Sequence, residues 1–230
     1  MSPPPHLPIS PLPFTKTMPL ILDDLHRDQI DLLIRLLKSW WREKQDFYAS
    51  GSLTIYYSPN QKKSEYFRGP DFFVVLGTEK KDRKSWVVWQ EDGKYPNVIV
   101  EILSNSTAVI DKGFKKQIYQ DTFRTPDYFL FDPIKMELQG FHLVDGKYQE
   151  IQSTTDGRLW SQQLELYLGV YEGKLRFFTT ENQLIPSSEE LAQQESLRAQ
   201  QAEERVQQAE QEIARLRELL RTQGINPENI

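Results

Sequence analysis

Six residues, Val98-Ile99-Val100-Glu101-Ile102-Leu103, constrain this chain more than any other stretch. The run is short and rich in β-branched residues, so it predicts a strand from Asn97 to Leu103. A strand with one wet face alternates apolar and polar side chains. This one is continuously apolar but for a single position, which implies a strand covered on both faces. The chain must therefore build a sheet with a layer on either side. The exception is Glu101. A charge inside such a strand is costly unless it is satisfied, so Glu101 either pairs with a buried base or binds a cation.

The neighbouring segments suit such a sheet. Asp23 to Lys44 reads as a helix that Asp23 or Asp24 can cap, with Ile30, Leu33, Ile34, Leu37, Trp40 and Trp41 at helical spacing. The breadth of that stripe predicts packing on a sheet. Leu53 to Ser58, Asp71 to Leu76 and Ser85 to Gln90 are short runs of β-branched and aromatic residues, read as strands. A helix is expected at about Ile110 to Phe123, then a strand from Tyr128 to Asp132 stopped by Pro133. Glu137 to Val144 and Lys147 to Ile151 flank Asp145-Gly146, a strong tight-turn pair; Leu166 to Tyr171 and Leu175 to Thr179 flank Glu172-Gly173 in the same way. The order predicts an α/β fold, a mixed β-sheet flanked by helices. A doubly wound nucleotide-binding fold needs regular strand–helix alternation and a glycine-rich first turn, and the chain has neither.

The 230 residues fit one domain plus an extension. Residues 1–19 are proline-rich without periodicity and are expected to be a disordered leader, lacking the basic-then-apolar pattern of a signal peptide. Residues 20–182 form the expected folded domain. From Ser188 to about Arg221 there is no proline or glycine, and Ala199, Ala202, Val206, Ala209, Ile213, Leu216 and Leu220 recur at spacings of three and four. This is a heptad seam. Residues 187–222 are therefore expected as a coiled-coil helix, with Gly224 and Pro227 ending it and 223–230 as a disordered tail. A homodimer through this helix is the favoured reading; a lone solvated or back-docked helix is the alternative.

The chain has no cysteine, which removes disulfides, thiolate metal sites and cysteine catalysis, and is consistent with the cytoplasm. No run approaches the roughly 18 apolar residues of a membrane helix. The net charge is −5, and from Ser187 onward nine acidic and five basic residues carry −4 of it, so the body is nearly neutral. Basic clusters at Lys62-Lys63, Lys80-Lys81-Asp82-Arg83-Lys84 and Lys112 to Lys116 either meet phosphates or form solvated faces.

The only histidines are His6, His26 and His142, and no two share a metal-ligand spacing. There is no Gly-x-Ser-x-Gly elbow and no phosphate loop. Carboxylates and lysine remain. Asp71 follows Gly69-Pro70 and opens an apolar strand, either as a site carboxylate or as a turn residue. On the helix after Glu101, Asp111, Lys115 and Tyr119 form a line beside Phe114 and Ile118. Lys115 can then reach a site from the margin of the sheet-facing side, oriented by Asp111, or simply form a surface ion pair with it. Two carboxylates and a lysine suit metal-assisted phosphodiester hydrolysis. Mg²⁺ takes carboxylate oxygens and waters, lowers the pKa of a bound water and neutralises charge on the phosphate. A lysine beside it positions the water or stabilises the transition state.

The stretches FRGPDFFVVLG and YPNVIVEILSNSTAVIDKGFKKQIYQDTFRTPDYFLFDP resemble the Uma-two family of restriction endonucleases, a bacterial group within the PD-(D/E)xK nuclease superfamily. The similarity continues through FYASGSLTIYYS, ELQGFHLVDGKY and LYLGVYEGKLRFF and covers roughly Leu22 to Thr180. It implies a restriction-endonuclease-like core and Mg²⁺- or Mn²⁺-dependent cleavage of DNA. It also implies Asp71, Glu101 and Lys115 as the catalytic set, with metal on Asp71 and Glu101 and support from Asp111 and Tyr119. In the wider superfamily the lysine stands two residues after the glutamate; here that place holds Leu103, so the resemblance implies that Lys115 has taken the role. Where the family often has a proline, this chain has Asn105 in Ser104-Asn105-Ser106-Thr107. The second expectation is a non-catalytic nucleic-acid or partner-binding module on a nuclease scaffold, since fold does not fix function.

Overall fold

The computed structural model describes residues 24–103 and 111–223, the side chains of residues 111 and 112 excepted. The proline-rich leader, the segment with Asn105 and the residues after 223 lie outside the described residues. The chain opens with α1 (Asp24–Trp40), then β1 (Phe47–Gly51), β2 (Ile55–Tyr56), β3 (Phe67–Arg68), β4 (Phe72–Leu76), β5 (Trp86–Val87) and β6 (Val98–Ile102). A helix of π, α and π turns follows, Asp111–Lys115, Lys116–Ile118 and Tyr119–Phe123, together α2. Then come β7 (Asp127–Asp132), β8 (Glu137–Val144), β9 (Lys147–Glu150), β10 (Leu159–Ser161), β11 (Leu166–Tyr171), β12 (Lys174–Phe178) and α3 (Ser188–Thr222).

Six strands form one sheet in the order β1-β4-β6-β7-β8-β9. Only β6 and β7 pair in parallel; the other neighbours are antiparallel. Strand side chains alternate between faces, and the two faces bury different partners. Phe72, Val74, Val98, Val100, Ile102, Phe129 and Phe131 pack with Leu33, Leu36 and Leu37 of α1 and with Leu168 and Phe177 of a second sheet, β10-β11-β12. Phe73, Val75, Ile99, Tyr128 and Leu130 pack with Ile118, Tyr119 and Phe123 of α2 and with Ile55 and Trp86. The central strand β6 is thus buried along its whole length, as its sequence requires.

Several elements depart from the sequence reading. α1 ends at Trp40, not Lys44, because the chain turns there and sets the Trp41 ring edge-on to Phe47, centroids 5.1 Å apart. Trp40 itself is 47% exposed, outside the buried stripe. The segment from Ser85 to Gln90 is a strand only at Trp86–Val87 and then tightens into a 3₁₀ turn, Val88–Gln90. β1 contains Ala49, Ser50 and Gly51, poor strand formers on their own, and is held by its register with β4. Gly51 is required where α1 crosses: a Cβ there would lie 2.2 Å from Ile30 Cγ2 and 2.6 Å from the Asp71 carbonyl oxygen. Both tight-turn pairs adopt positive φ, +49° and +80° at Asp145-Gly146 and +50° and +74° at Glu172-Gly173, the backbone that closes two-residue hairpins.

The start of α3 is fixed to the body. The Ser187 side chain accepts from the Glu190 amide while Glu190 accepts from the Ser187 amide, a capping box. Buried Arg176 donates to both Glu190 oxygens, at 2.9 and 2.7 Å, and to the Ile185 carbonyl. Those guanidinium bonds hold the Glu190 carboxyl well below its ordinary value, at about 2. A depressed carboxyl stabilises the fold above its unfolded pKa, and that contribution is lost as pH falls through the folded value. The melting-temperature gap between wild type and Glu190→Gln is therefore expected to be present at pH 6 and to close between about pH 4.5 and pH 2. A gap independent of pH contradicts the assignment.

Candidate active site

β4 and β6 run antiparallel with Phe72 opposite Val100, so one further step of the register sets Asp71 opposite Glu101. The strand of Asp71 begins only at Phe72, because Pro70 has no amide to contribute to a ladder. The Asp71 carboxylate takes over there: Oδ2 accepts from the Ile102 amide at 2.8 Å. Its Oδ1 lies 3.1 Å from Nε2 of His26, on the first turn of α1. Asp71 thus caps the end of β6 with its carboxylate at the end of the sheet.

Glu101 has no exposure to solvent. Its Oε2 accepts from Lys115 Nζ at 3.0 Å and its Oε1 from the Tyr119 hydroxyl at 2.7 Å. Lys115 and Tyr119, four apart on α2, therefore divide one carboxylate between them. The i,i+4 line read in the sequence reaches the sheet even though the helix is mostly π-turned. The Lys115 side chain is 20% exposed against 0% for Glu101, so the ammonium stands between the buried carboxylate and solvent. Coulombic attraction in such a site is far stronger than in water. The side chain of Asp111 lies outside the described residues.

Sequence reasoning missed His26. The signal was present: His26 precedes Ile30, Leu33 and Leu37 at helical spacing, which places it on the buried face of α1. A second Pro-Asp pair, Pro126-Asp127, also opens a buried strand, but it belongs elsewhere. β6 and β7 are parallel, with Val98 beside Asp127 and Glu101 beside Leu130, so Asp127 sits at the opposite end of the sheet from Glu101.

The basic clusters divide. Arg83 is held in the fold, with Nε and Nη2 on Glu91 at 2.7 and 2.9 Å and its guanidinium over the rings of Tyr48 and Trp86. Lys116 lies over the Phe141 ring, and burial lowers its pKa. The segment before Asp71 is different: Tyr66 and Phe67 are 39% and 36% exposed, Lys63 lies over Tyr56, and Arg68 lies over Phe114, the residue before Lys115. Aromatic and basic groups therefore share the approach to the Asp71 end of the sheet.

Among the described residues there is no cluster of three or more His, Cys, Asp or Glu side chains arranged to hold a metal. The carboxylates that could hold an ion at this end of the sheet are Asp71 and Glu101. Two carboxylates fit Mg²⁺, which commonly binds through one or two of them and keeps several waters; they fit a site for Zn²⁺ poorly, since that ion favours nitrogen and sulfur ligands.

The structure is similar to one described as a "putative nuclease belonging to DUF820" from Anabaena variabilis, at 12% identity and a TM-score of 0.46, over 62% of this chain and 74% of that one. A search of curated proteins gave no match. Residues 18–177 match the model of the Uma2 family, described as "Putative restriction endonuclease". That span takes in α1, the whole six-stranded sheet and α2, and the chain belongs to the Uma2 family.

Proposed function

We propose that this chain is an endonuclease that hydrolyses phosphodiester bonds of DNA with Mg²⁺ or Mn²⁺. The observation that carries the reading is Glu101, a fully buried carboxylate in a central strand, met by Lys115 and Tyr119 and opposite Asp71 in register. Asp71 and Glu101 would hold the ion. Bound there, it supplies a lowered water pKa and neutralises charge on the phosphate. Lys115 directs its ammonium at the same place and stabilises negative charge on the attacking or phosphate oxygen. Tyr119 fixes the orientation of Glu101. Lys62, Lys63 and Arg68 meet the phosphate backbone, with Tyr66 and Phe67 beside them. Residues 20–182 act as the nuclease unit, residues 187–222 as an arm that pairs two copies, and the setting is the cytoplasm. No helix among the described residues is long and apolar enough to cross a membrane.

A second reading has its own observation. The Glu101 oxygens are taken by Lys115 and Tyr119, and those of Asp71 face the Ile102 amide and His26. A cluster satisfied in this way also suits a scaffold that binds nucleic acid or a partner without cutting. Cleavage assays decide between them. Supercoiled DNA, linear duplex, single-stranded DNA and RNA are incubated with the purified chain and Mg²⁺ or Mn²⁺. Cleavage of DNA is expected, falling on the order of 10²-fold in Asp71→Asn and in Lys115→Met. Unchanged rates in both variants would sink the site; binding without cleavage in wild type establishes the second reading.

A further inference from the structure

Beyond its first turns, α3 presents its side chains to solvent. The helix has 35 residues and none is buried, a length of roughly 52 Å at 1.5 Å per residue. Among the described residues, Arg35–Glu189 and Arg176–Glu190 are its side-chain bonds to the body. Val206, Ile213 and Leu216 are 57%, 49% and 50% exposed. A helix of this kind owes most of its stability to packing an apolar face against something, and its flanking charges say against what.

In the heptad set by the seam, Ala199, Val206, Ile213 and Leu220 take the a positions, and Ala202, Ala209 and Leu216 the d positions. The g positions are then Arg198, Arg205, Glu212 and Leu219, and the e positions Glu203, Glu210 and Arg217. In a parallel pair in register, each g residue faces the e residue five further along the other helix. The three charged pairs are all of opposite sign: Arg198 with Glu203, Arg205 with Glu210, and Glu212 with Arg217 of the second copy. The antiparallel alignment of the same seam sets Arg205 against Glu212, but it also sets Glu203 against Glu210. The β-branched Val206 and Ile213 at a, with Leu216 at d, favour two strands.

We infer that α3 is the half of a parallel, in-register, two-stranded coiled coil whose partner is a second copy of this chain, with its direction fixed by the complementary charges at 198–203, 205–210 and 212–217. This rests on the pairing through residues 187–222 proposed above and adds its direction and register. Since α3 leaves the body at Ser187, a parallel coil brings both folded bodies to the same end. The two candidate sites then lie at the same end of the coil instead of a helix length apart.

The chain has no cysteine, so one introduced thiol is unique. Full-length Ala199→Cys, equilibrated in reduced and oxidised glutathione, is expected to form a chain-to-chain disulfide; a mixture of Ala199→Cys with Leu216→Cys is expected to form no mixed disulfide. The triple variants Arg198→Glu/Arg205→Glu/Glu212→Arg and Glu203→Arg/Glu210→Arg/Arg217→Glu are each expected to self-associate at least tenfold more weakly than wild type in sedimentation equilibrium. Their equimolar mixture is expected to regain wild-type association. A dimeric wild type that links position 199 only to position 216 overturns the direction but leaves the pairing. A monomeric wild type overturns both. None of these measurements reads cleavage, so their failure is separate from failure of the nuclease reading.

Discussion

Glu101→Gln is expected to lower the cleavage rate on the order of 10³-fold while the fold survives, whereas Glu101→Ala is expected to lose activity and about 3–5 kcal/mol of stability together. The difference lies in what each variant leaves inside the sheet. Alanine removes the carboxylate that Lys115 and Tyr119 both bind and opens a space beside a strand with no solvent access. Glutamine keeps the volume and an oxygen that accepts from the Tyr119 hydroxyl. It carries no charge, so it meets the Lys115 ammonium less strongly than Glu101 does and would not hold a divalent cation in the proposed way. Thermal melting alongside single-turnover cleavage separates the two effects. A Glu101→Gln protein that cuts at the wild-type rate contradicts the assignment of this residue.

Asp127→Ala is expected to cost about 3 kcal/mol or more, read as a lower urea midpoint, with cleavage per folded molecule unchanged. Asp127 is fully buried. Its Oδ1 lies 2.6 Å from His142 Nδ1, and its Oδ2 accepts from the Ser161 hydroxyl at 2.7 Å and the Gln163 amide at 2.9 Å. One carboxylate thus ties β7 and β8 of the large sheet to β10 of the small one. The three-residue offset along β6 and β7 places it roughly 10 Å from the Glu101 level at about 3.3 Å per residue. A selective loss of cleavage in stable Asp127→Ala would mean that the wrong Pro-Asp pair had been assigned to the site.

The legible parts of this fold were those written in local chemistry. β8 and β11 match their sequence bounds because a two-residue turn marks the end of each. β6 was legible because an uninterrupted apolar run leaves no other burial pattern open. The strands that escaped notice are β1, whose Ala49, Ser50 and Gly51 are poor strand formers, and β3 and β10, which are two and three residues long; all three exist through their pairing with neighbouring strands. The site divides in the same way. Glu101 announces itself as a charge in an apolar strand, and the helical line of Lys115 and Tyr119 follows from spacing. That these two groups share the two oxygens of Glu101 depends on how α2 lies across the sheet, which no local pattern encodes. The approach of His26 to Asp71 requires the first turn of α1 to lie at the end of β4, again a matter of packing. Among the basic clusters, composition could not separate Arg83, held over Tyr48 and Trp86, from the lysines ahead of Asp71; burial does.

In the proposed site, Asp71 and Glu101 together hold a divalent cation. Calorimetric titration of Mn²⁺ into the full-length chain tests it without a substrate. One ion per chain is predicted for wild type, with affinity falling at least tenfold in Glu101→Gln and in Asp71→Asn while both variants keep their melting transitions. Identical isotherms for wild type and the two variants would contradict the account, because any ion bound would then be held elsewhere.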